Sequence, residues 1–216
     1  MSHFFTPLFC DNHVAIFVKP HGMTVQMDGY EKDEETLQFH AKMWIKEKYN
    51  KPGGVFLEPI HRIDKPVHGL VLFARTSKAL SRMQEMMRNR EIGRRYLALV
   101  SGSPKMREAT LNHTIIHGDH RAHLSQDGKL ATLHYKTVEE RNGKTLLEIE
   151  LDTGRYHQIR LQLSTIGYPV IGDSKYGSKI TLAEGQIALQ SYKLTFPHPI
   201  TREMLTFTAP LPPFLN

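Results

Sequence analysis

Two runs of alternating apolar and polar residues, 132–139 and 144–152, are separated by Arg141-Asn142-Gly143. Asn-Gly between such runs is the strongest short-range signal for a β-hairpin, because both residues accept the positive φ angles of a tight turn. Further runs of strand length lie at 14–18, 69–74, 96–100, 187–196 and 204–208. We therefore expect a sheet whose strands are mostly antiparallel.

Helical periodicity occurs between these runs. Apolar residues recur at helical spacing over 33–49 and 156–166, and Ser77 is placed to cap another helix. Neither a repeat nor a Pro/Ser-rich linker divides the chain. We expect a single domain over residues 1–216, of the α+β class, with a mixed, mostly antiparallel β-sheet and flanking helices.

Composition excludes several classes of protein. With 40% hydrophobic residues in 216, the chain can bury a core and is not intrinsically disordered. Its single cysteine, Cys10, cannot form an internal disulfide, and no apolar run reaches membrane-spanning length. We therefore expect a cytoplasmic protein. The net charge of +6 is compatible with a nucleic-acid partner but does not establish one.

The segment 61–69, HRIDKPVHG, concentrates ionisable side chains just before a buried strand, where active-site loops often lie. An extended backbone there would project Arg62 and Asp64 to the same side. His61 and Ile63 would then point to the other side. A carboxylate beside a guanidinium stays ionised, as a nucleophile or general base must be. The alternative is a surface turn with a local ion pair.

A second group of polar residues, 153–160 (TGRYHQIR), lies at the start of the third expected helix. Helix N-termini attract anions, so Arg155 and Arg160 could bind phosphate or hold a carboxylate. Tyr156 and Arg160 would share one face of the helix. The alternative is a solvated amphipathic helix.

These segments resemble the RluA-type pseudouridine synthases, which isomerise uridine to pseudouridine in structured RNA. Residues 61–76, HRIDKPVHGLVLFART, resemble the family signature HRLDxxTSGLLLFAKT. The other matching segments are IFVKPHG at 16–22, RYLALV at 95–100, TGRYHQIR at 153–160, and GYPVIGD and YG within 167–177. The motifs occur in the family's order and cover nearly the whole chain.

The resemblance implies a catalytic role for three residues. Asp64 matches the catalytic carboxylate, which acts either as a nucleophile or by removing a ribose proton. Arg160 matches the residue that pairs with this aspartate. Tyr96 matches the aromatic residue that stacks on the target base, and its hydroxyl is a candidate for the C5 proton transfer. The reaction needs neither metal nor cofactor.

The expected partner is a structured RNA, either tRNA or rRNA. A target base must leave its stack, and Arg62 is our candidate to fill the vacated space. Arg88, Arg90, Arg94 and Arg95 could follow the RNA backbone, or could form a solvated helix end. The residues expected to bind substrate are His61, Arg62, Arg94, Arg95, Arg155 and His157.

The chain departs from the family pattern at Val67-His68, where the signature has Thr-Ser, and at Tyr156, where it has Thr. Few residues precede the first motif, so we expect a stand-alone catalytic domain that recognises RNA through its catalytic face alone. We also expect a monomer, because a base-flipping enzyme that acts on a large RNA needs no second subunit. Two alternatives remain open. One is a non-catalytic RNA-binding or RNA-chaperone protein on the same fold, and the other is an N-glycosidase that releases the base to water.

Four histidines at 113, 117, 120 and 123 have spacings that could suggest a metal cluster. Gly118 and Asp119 interrupt the segment, and no cysteine accompanies the histidines. We interpret the segment as a polar loop that faces RNA, without a metal.

Overall fold

Strands contribute most of the regular structure in the computed structural model, which describes residues 5–27, 32–183 and 185–211. The strands are β1 Phe9–Cys10, β2 Val14–Lys19, β3 Glu58–Pro59, β4 His68–Ala74, β5 Gly93–Ser101, β6 Glu108–His117, β7 Ala122–Leu124, β8 Lys129–Arg141, β9 Lys144–Leu151, β10 Leu189–Pro197 and β11 Met204–Thr208. The helices are α1 Leu37–Lys48, α2 Ser77–Arg88 and α3 Gln158–Thr165. The expected α+β class, a mixed sheet with few flanking helices, is confirmed.

The described residues divide into two compact units. The first comprises residues up to 93 together with 191–210, and the second comprises residues 94–190 and Leu211. The expectation of a single domain over the whole chain stays a prediction.

The first unit has strand order β1-β2-β4-β10, with β3 paired to β4 and β11 paired to β10. Helix α2 packs on one face of this sheet, because Met83 and Met86 join the strand residues of a single buried cluster. That cluster contains Val14, Ile16, Leu70, Leu72, Met83, Met86, Ile92, Leu194, Phe196 and Ala209. On the opposite face, Phe17 makes edge contacts with Phe73 and with Trp44 of α1.

The second unit has strand order β5-β9-β8-β6-β7, and all four pairings are antiparallel. The hairpin expected at Asn142-Gly143 is confirmed: Arg141 pairs with Lys144, and the φ angles of Asn142 and Gly143 are 53° and 68°. Helix α3 packs on one face of this sheet, where Leu161 lies against the buried cluster of Ile115, Ala122 and Ala131.

The first two helices differ from expectation at their amino ends: α1 begins later than residue 33, and α2 has another capping residue than Ser77. Residues Asp33–Glu35 form a separate 3-10 turn, and α1 begins after Thr36, whose hydroxyl accepts a hydrogen bond from the Phe39 amide. The cap of α2 is Thr76 rather than Ser77, because the Thr76 hydroxyl accepts from the Ala79 amide. Each cap satisfies an amide that the first helical turn leaves unpaired.

Helix α3 starts later than expected, at Gln158, because His157 adopts a left-handed conformation with φ 52°. The prediction of a helix from Tyr156 is therefore wrong. Arg155 and Tyr156 lie in the loop before the helix, so Tyr156 and Arg160 do not share a helical face.

Within the described ranges, no helix combines the length and the apolar character needed to span a membrane.

Candidate functional site

In the first unit, the side chains of the Asp64 loop alternate as the sequence predicts. Arg62 is exposed and Asp64 is half-buried, whereas only 8% of His61 and 7% of Ile63 are accessible to solvent. The buried pair anchors the loop in the core, which leaves Arg62 and Asp64 on the solvent side. The prediction that Arg62 and Asp64 project away from His61 and Ile63 is confirmed.

The imidazole of His61 supports the backbone of β4. Its Nε2 atom accepts a hydrogen bond of 3.2 Å from the Leu72 amide, so in this geometry Nε2 carries no proton. This contact fixes the residue three positions before Asp64. A contact between His61 and substrate stays a prediction.

The backbone that follows Asp64 is held in a turn and by a neighbouring segment. The Asp64 carbonyl accepts from the Val67 amide at 2.9 Å. The Lys65 carbonyl accepts from the Gly22 amide at 2.9 Å and from Lys19 Nζ at 3.1 Å. The 19–22 segment therefore restrains the loop that carries Asp64.

Lys19 is fully buried, and its ammonium group lies among backbone carbonyls. Besides Lys65, it donates to the carbonyls of Pro20 at 2.9 Å and Met23 at 2.6 Å. Burial lowers the pKa of Lys19 to about 7, against the opposing attraction of the Asp64 carboxylate. Lys19 therefore brings a titratable positive charge within electrostatic reach of Asp64.

In the second unit, Tyr96 and two arginines lie at the start of β5. Tyr96 pairs with Ile149 of β9 and is 6% exposed. Arg95 forms ion pairs with Glu148 at 3.4 Å and with Glu150 at 3.1 Å. These carboxylates compensate the charge of Arg95, which weakens the expectation that it binds phosphate.

Arg94 lies against the loop that precedes α3. A Cβ atom at position 154 would lie 2.7 Å from Arg94 Nη1. Any residue other than glycine at position 154 would therefore force the Arg94 side chain or the loop to shift. Gln158 fixes the same loop: its Oε1 accepts from Thr153 Oγ1 at 2.7 Å and from the Arg155 amide at 3.0 Å. The loop before α3 therefore has a defined shape.

Arg155 is exposed at this loop, and its Nε donates to the Leu130 carbonyl at 3.1 Å. This bond uses one of the donors of the guanidinium and orients the rest of it. A contact of Arg155 with phosphate stays a prediction.

Arg160 forms a buried ion pair with Asp173. Arg160 Nε lies 2.7 Å from Asp173 Oδ2, and Arg160 Nη2 lies 2.9 Å from Asp173 Oδ1. The guanidinium also lies over the ring of Tyr176, with its Cζ 5.0 Å from the ring centroid. These two contacts orient Arg160 within the second unit.

His157 belongs to the same network. Its Nδ1 lies 2.9 Å from the Tyr176 hydroxyl, which also accepts from the Ala122 amide at 2.7 Å. Burial, followed by repulsion from Arg160, lowers the pKa of His157 to about 3. His157 is therefore uncharged at neutral pH, and its proposed contact with RNA is not an ion pair.

The structure thus supplies two preorganised sets of residues. Asp64 belongs to the first unit, and Tyr96 and Arg160 belong to the second. Contact of Asp64 with Tyr96 or Arg160 stays a prediction. No role was expected for Lys19, Gln158, Asp173 or Tyr176, although all four lie in the quoted motifs: Lys19 in IFVKPHG, Gln158 in TGRYHQIR, Asp173 in GYPVIGD and Tyr176 in YG.

The described part of the chain contains no group of three or more His, Cys, Asp or Glu side chains that could hold a metal ion. The interpretation of the histidine segment as a loop is wrong for three of its four histidines, because His113 and His117 lie on β6 and His123 lies on β7.

Comparison with known proteins identifies the family. The family model described as RNA pseudouridylate synthase matches residues 13–165. A Bacillus subtilis protein named "Uncharacterized RNA pseudouridine synthase YhcT" is 32% identical over 95% of this chain and 68% of its own length. A Zymomonas mobilis protein named "Ribosomal large subunit pseudouridine synthase D" has the same identity and the same coverage.

Other relatives are matched over less of their length. The Bacillus subtilis protein "Uncharacterized RNA pseudouridine synthase YlyB" is 36% identical over 71% of this chain and 52% of its own length. The chain therefore spans between about half and two thirds of the length of these curated relatives.

Solved structures agree on the fold. The structure titled "Human RNA Pseudouridylate Synthase Domain Containing 4" has a TM-score of 0.80 and 21% identity, covering 96% of this chain and 89% of the other. "Human RNA Pseudouridylate Synthase Domain Containing 1" has a TM-score of 0.76 and 20% identity, covering 100% and 88% of the two chains. The family model and the two relatives that are 32% identical, together with the motifs at Asp64 and at 153–160, show that the chain belongs to the RNA pseudouridylate synthase family, whose members are isomerases.

Proposed function

We propose that this protein isomerises a uridine in structured RNA to pseudouridine, with Asp64 as the catalytic carboxylate. The observation that carries the proposal is the environment of Asp64. It is half-buried on a loop held by Lys19 and Gly22, and it lies within electrostatic reach of the buried Lys19 ammonium. The fixed loop favours a defined geometry of attack.

The reaction rearranges bonds within one nucleotide. The bond from C1′ to N1 breaks, the uracil turns in the site, and a bond from C1′ to C5 forms. C5 loses a proton to solvent and N1 gains one, so the composition of the RNA does not change. Asp64 would act either by attack on the sugar or base or by removal of a ribose proton, and both routes require an ionised carboxylate.

Tyr96 and Arg160 complete the proposed catalytic group. Tyr96 would stack on the target base, and its hydroxyl would assist the removal of the C5 proton. Arg160 would pair with Asp64 and keep it ionised and oriented. Support for this role comes from the buried contacts of Arg160 with Asp173 and Tyr176, which hold its guanidinium in one orientation.

RNA binding would rest on a subset of the arginines. Arg62 is exposed next to the loop residue Asp64 and would fill the space that the extruded base leaves. Arg155 is exposed and oriented by Leu130, so it suits a phosphate contact. Arg95 is paired with two glutamates and would contribute less to RNA binding than Arg62 or Arg155.

Ribosomal RNA is the first substrate to test, since several relatives are named ribosomal large subunit pseudouridine synthases. Transfer RNA is the other candidate. We also propose a cytoplasmic monomer: the single Cys10 suits a reducing compartment. Size-exclusion chromatography with light scattering should give about one chain mass, and a dimer mass would contradict the monomer.

The substrate proposal is tested by incubating purified protein with large-subunit rRNA and with bulk tRNA, both from cells that lack this protein. Carbodiimide labelling and primer extension then map the pseudouridines. One or a few new sites in rRNA would support the proposal, and new sites in tRNA alone would redirect it to tRNA. Release of free uracil would indicate the N-glycosidase instead. Salt-sensitive RNA binding with no new site in either RNA would indicate a non-catalytic binder.

A further inference from the structure

His21 lies in the turn that restrains the Asp64 loop, and its imidazole is bonded to that loop. His21 Nδ1 lies 2.8 Å from the carbonyl oxygen of Pro66, two residues after Asp64. Because a carbonyl oxygen only accepts, Nδ1 must carry the proton and donate. The His21 side chain thus adds a third hydrogen bond to the two that reach the adjacent Lys65 carbonyl.

The ring of His21 also contacts the ring of His68. Their centroids are 5.3 Å apart and the planes differ by 30°. His68 is the first residue of β4, which immediately follows the Asp64 loop. It occupies one of the two positions where the family signature has Thr-Ser and this chain has Val67-His68.

Both imidazoles are uncharged at neutral pH. Burial, followed by repulsion from His21 and Lys19, lowers the pKa of His68 to about 4. Burial also lowers the pKa of His21, although its bond to Pro66 acts in the opposite direction. Two neutral rings can pack together where two imidazolium ions would repel each other.

We propose that His21 is a positioning residue for Asp64, and that His68 acts through His21 by holding its ring on the Pro66 carbonyl. This inference rests on the proposed catalytic role of Asp64. Pro66 has no amide hydrogen, and Val67 already bonds back to the Asp64 carbonyl. The bond from His21 therefore fixes the far end of the turn that Asp64 begins. A displacement of the carboxylate by a fraction of an ångström would lower turnover without weakening RNA binding.

The test compares two replacements of His21 in the full-length protein. His21→Phe keeps a ring against His68 but removes the donor, and His21→Asn keeps an N–H donor at the position of Nδ1. We expect His21→Phe to lower kcat about 10-fold with KM changed less than about 2-fold. His21→Asn should retain kcat within about 3-fold. Equal effects of the two replacements, or a change confined to KM, would overturn the proposal.

A double-mutant cycle tests the role of His68. His68→Ala in the wild-type background should lower kcat about 5-fold at unchanged RNA affinity. In the His21→Phe background the same change should lower kcat less than about 2-fold, because the bond that it supports is already absent. Equal factors in both backgrounds, or an unchanged kcat in the His68→Ala single variant, would show that His68 does not act through His21. The single variant also provides a test if His21→Phe does not fold.

Asp64→Asn, measured in parallel, separates this inference from the proposed function. Turnover by Asp64→Asn would reject the proposed catalytic role and with it the positioning role. An inactive Asp64→Asn together with a fully active His21→Phe would reject the positioning role alone.

Discussion

The guanidinium of Arg160 and the carboxylate of Asp173 form a two-point ion pair, 2.7 and 2.9 Å long, in which both side chains are at least 95% buried. Two parallel bonds fix the plane of the guanidinium as well as its position. Asp173 is thereby a structural partner of a residue that we expect to act at the reaction centre.

Asp173→Asn should therefore destabilise the protein. The change keeps the shape of the side chain but removes the carboxylate from a buried two-point ion pair with Arg160, which typically costs about 3 kcal/mol or more in the free energy of unfolding. Urea denaturation of wild type and variant measures this difference. Ser174→Ala, a change at the neighbouring exposed residue, is the control and should cost less than about 0.5 kcal/mol. If Asp173→Asn lowered the free energy of unfolding by less than about 1 kcal/mol, the ion pair would not be important for stability.

Lys19 should make stability depend on pH. Its pKa in the folded protein is about 7, below its ordinary value of 10.5. Between these values the unfolded chain binds more protons than the folded one, so the free energy of unfolding rises with pH across this window. Lys19 should raise the free energy of unfolding by about 1 kcal/mol for each pH unit in this window.

Other groups titrate in the same window, so the comparison is with Lys19→Met. Urea denaturation of both proteins at pH 7, 8 and 9 gives the difference between their free energies of unfolding. As the pH rises, the free energy of unfolding of the wild type should increase relative to that of Lys19→Met. A difference that is constant between pH 7 and 9 would show that Lys19 has an ordinary pKa.

Arg62 and Arg95 should differ in their contribution to RNA binding. Arg62 is exposed, whereas Arg95 is paired with Glu148 and Glu150. We expect Arg62→Ala to raise the Kd for substrate RNA about 10-fold and Arg95→Ala to raise it less than about 3-fold. Filter binding at several salt concentrations measures both. The ranking would be wrong if Arg95→Ala had the larger effect.

Local signals predicted a substantial part of this structure. Asn142-Gly143 sets its own backbone conformation, so the hairpin followed from two residues and their flanking alternation. The orientation of Arg62 and Asp64 also followed from alternation, since the apolar Ile63 must be buried. Such features depend on residues that are close together in the sequence.

Other features depend on contacts between distant residues. His157 lies within a helical pattern, yet it is left-handed and bonded to Tyr176, nineteen residues away. Lys19 is the last residue of the otherwise apolar strand β2 and would ordinarily be placed in solvent, but carbonyls from two separate loops surround its ammonium. No local pattern encodes these partners, so Asp64 and Arg160 are recognisable in the sequence, whereas the residues that position them are not.

The most direct test of the central claim is the release of tritium from substrate RNA labelled at C5 of uridine. Formation of pseudouridine replaces the C5 hydrogen by the bond to C1′, so each isomerisation releases one label. We predict release by the wild type, one tritium for each pseudouridine formed, and a rate at least about 1000-fold lower for Asp64→Asn. Release by Asp64→Asn within about 10-fold of the wild-type rate would contradict the assignment of Asp64 as the catalytic carboxylate.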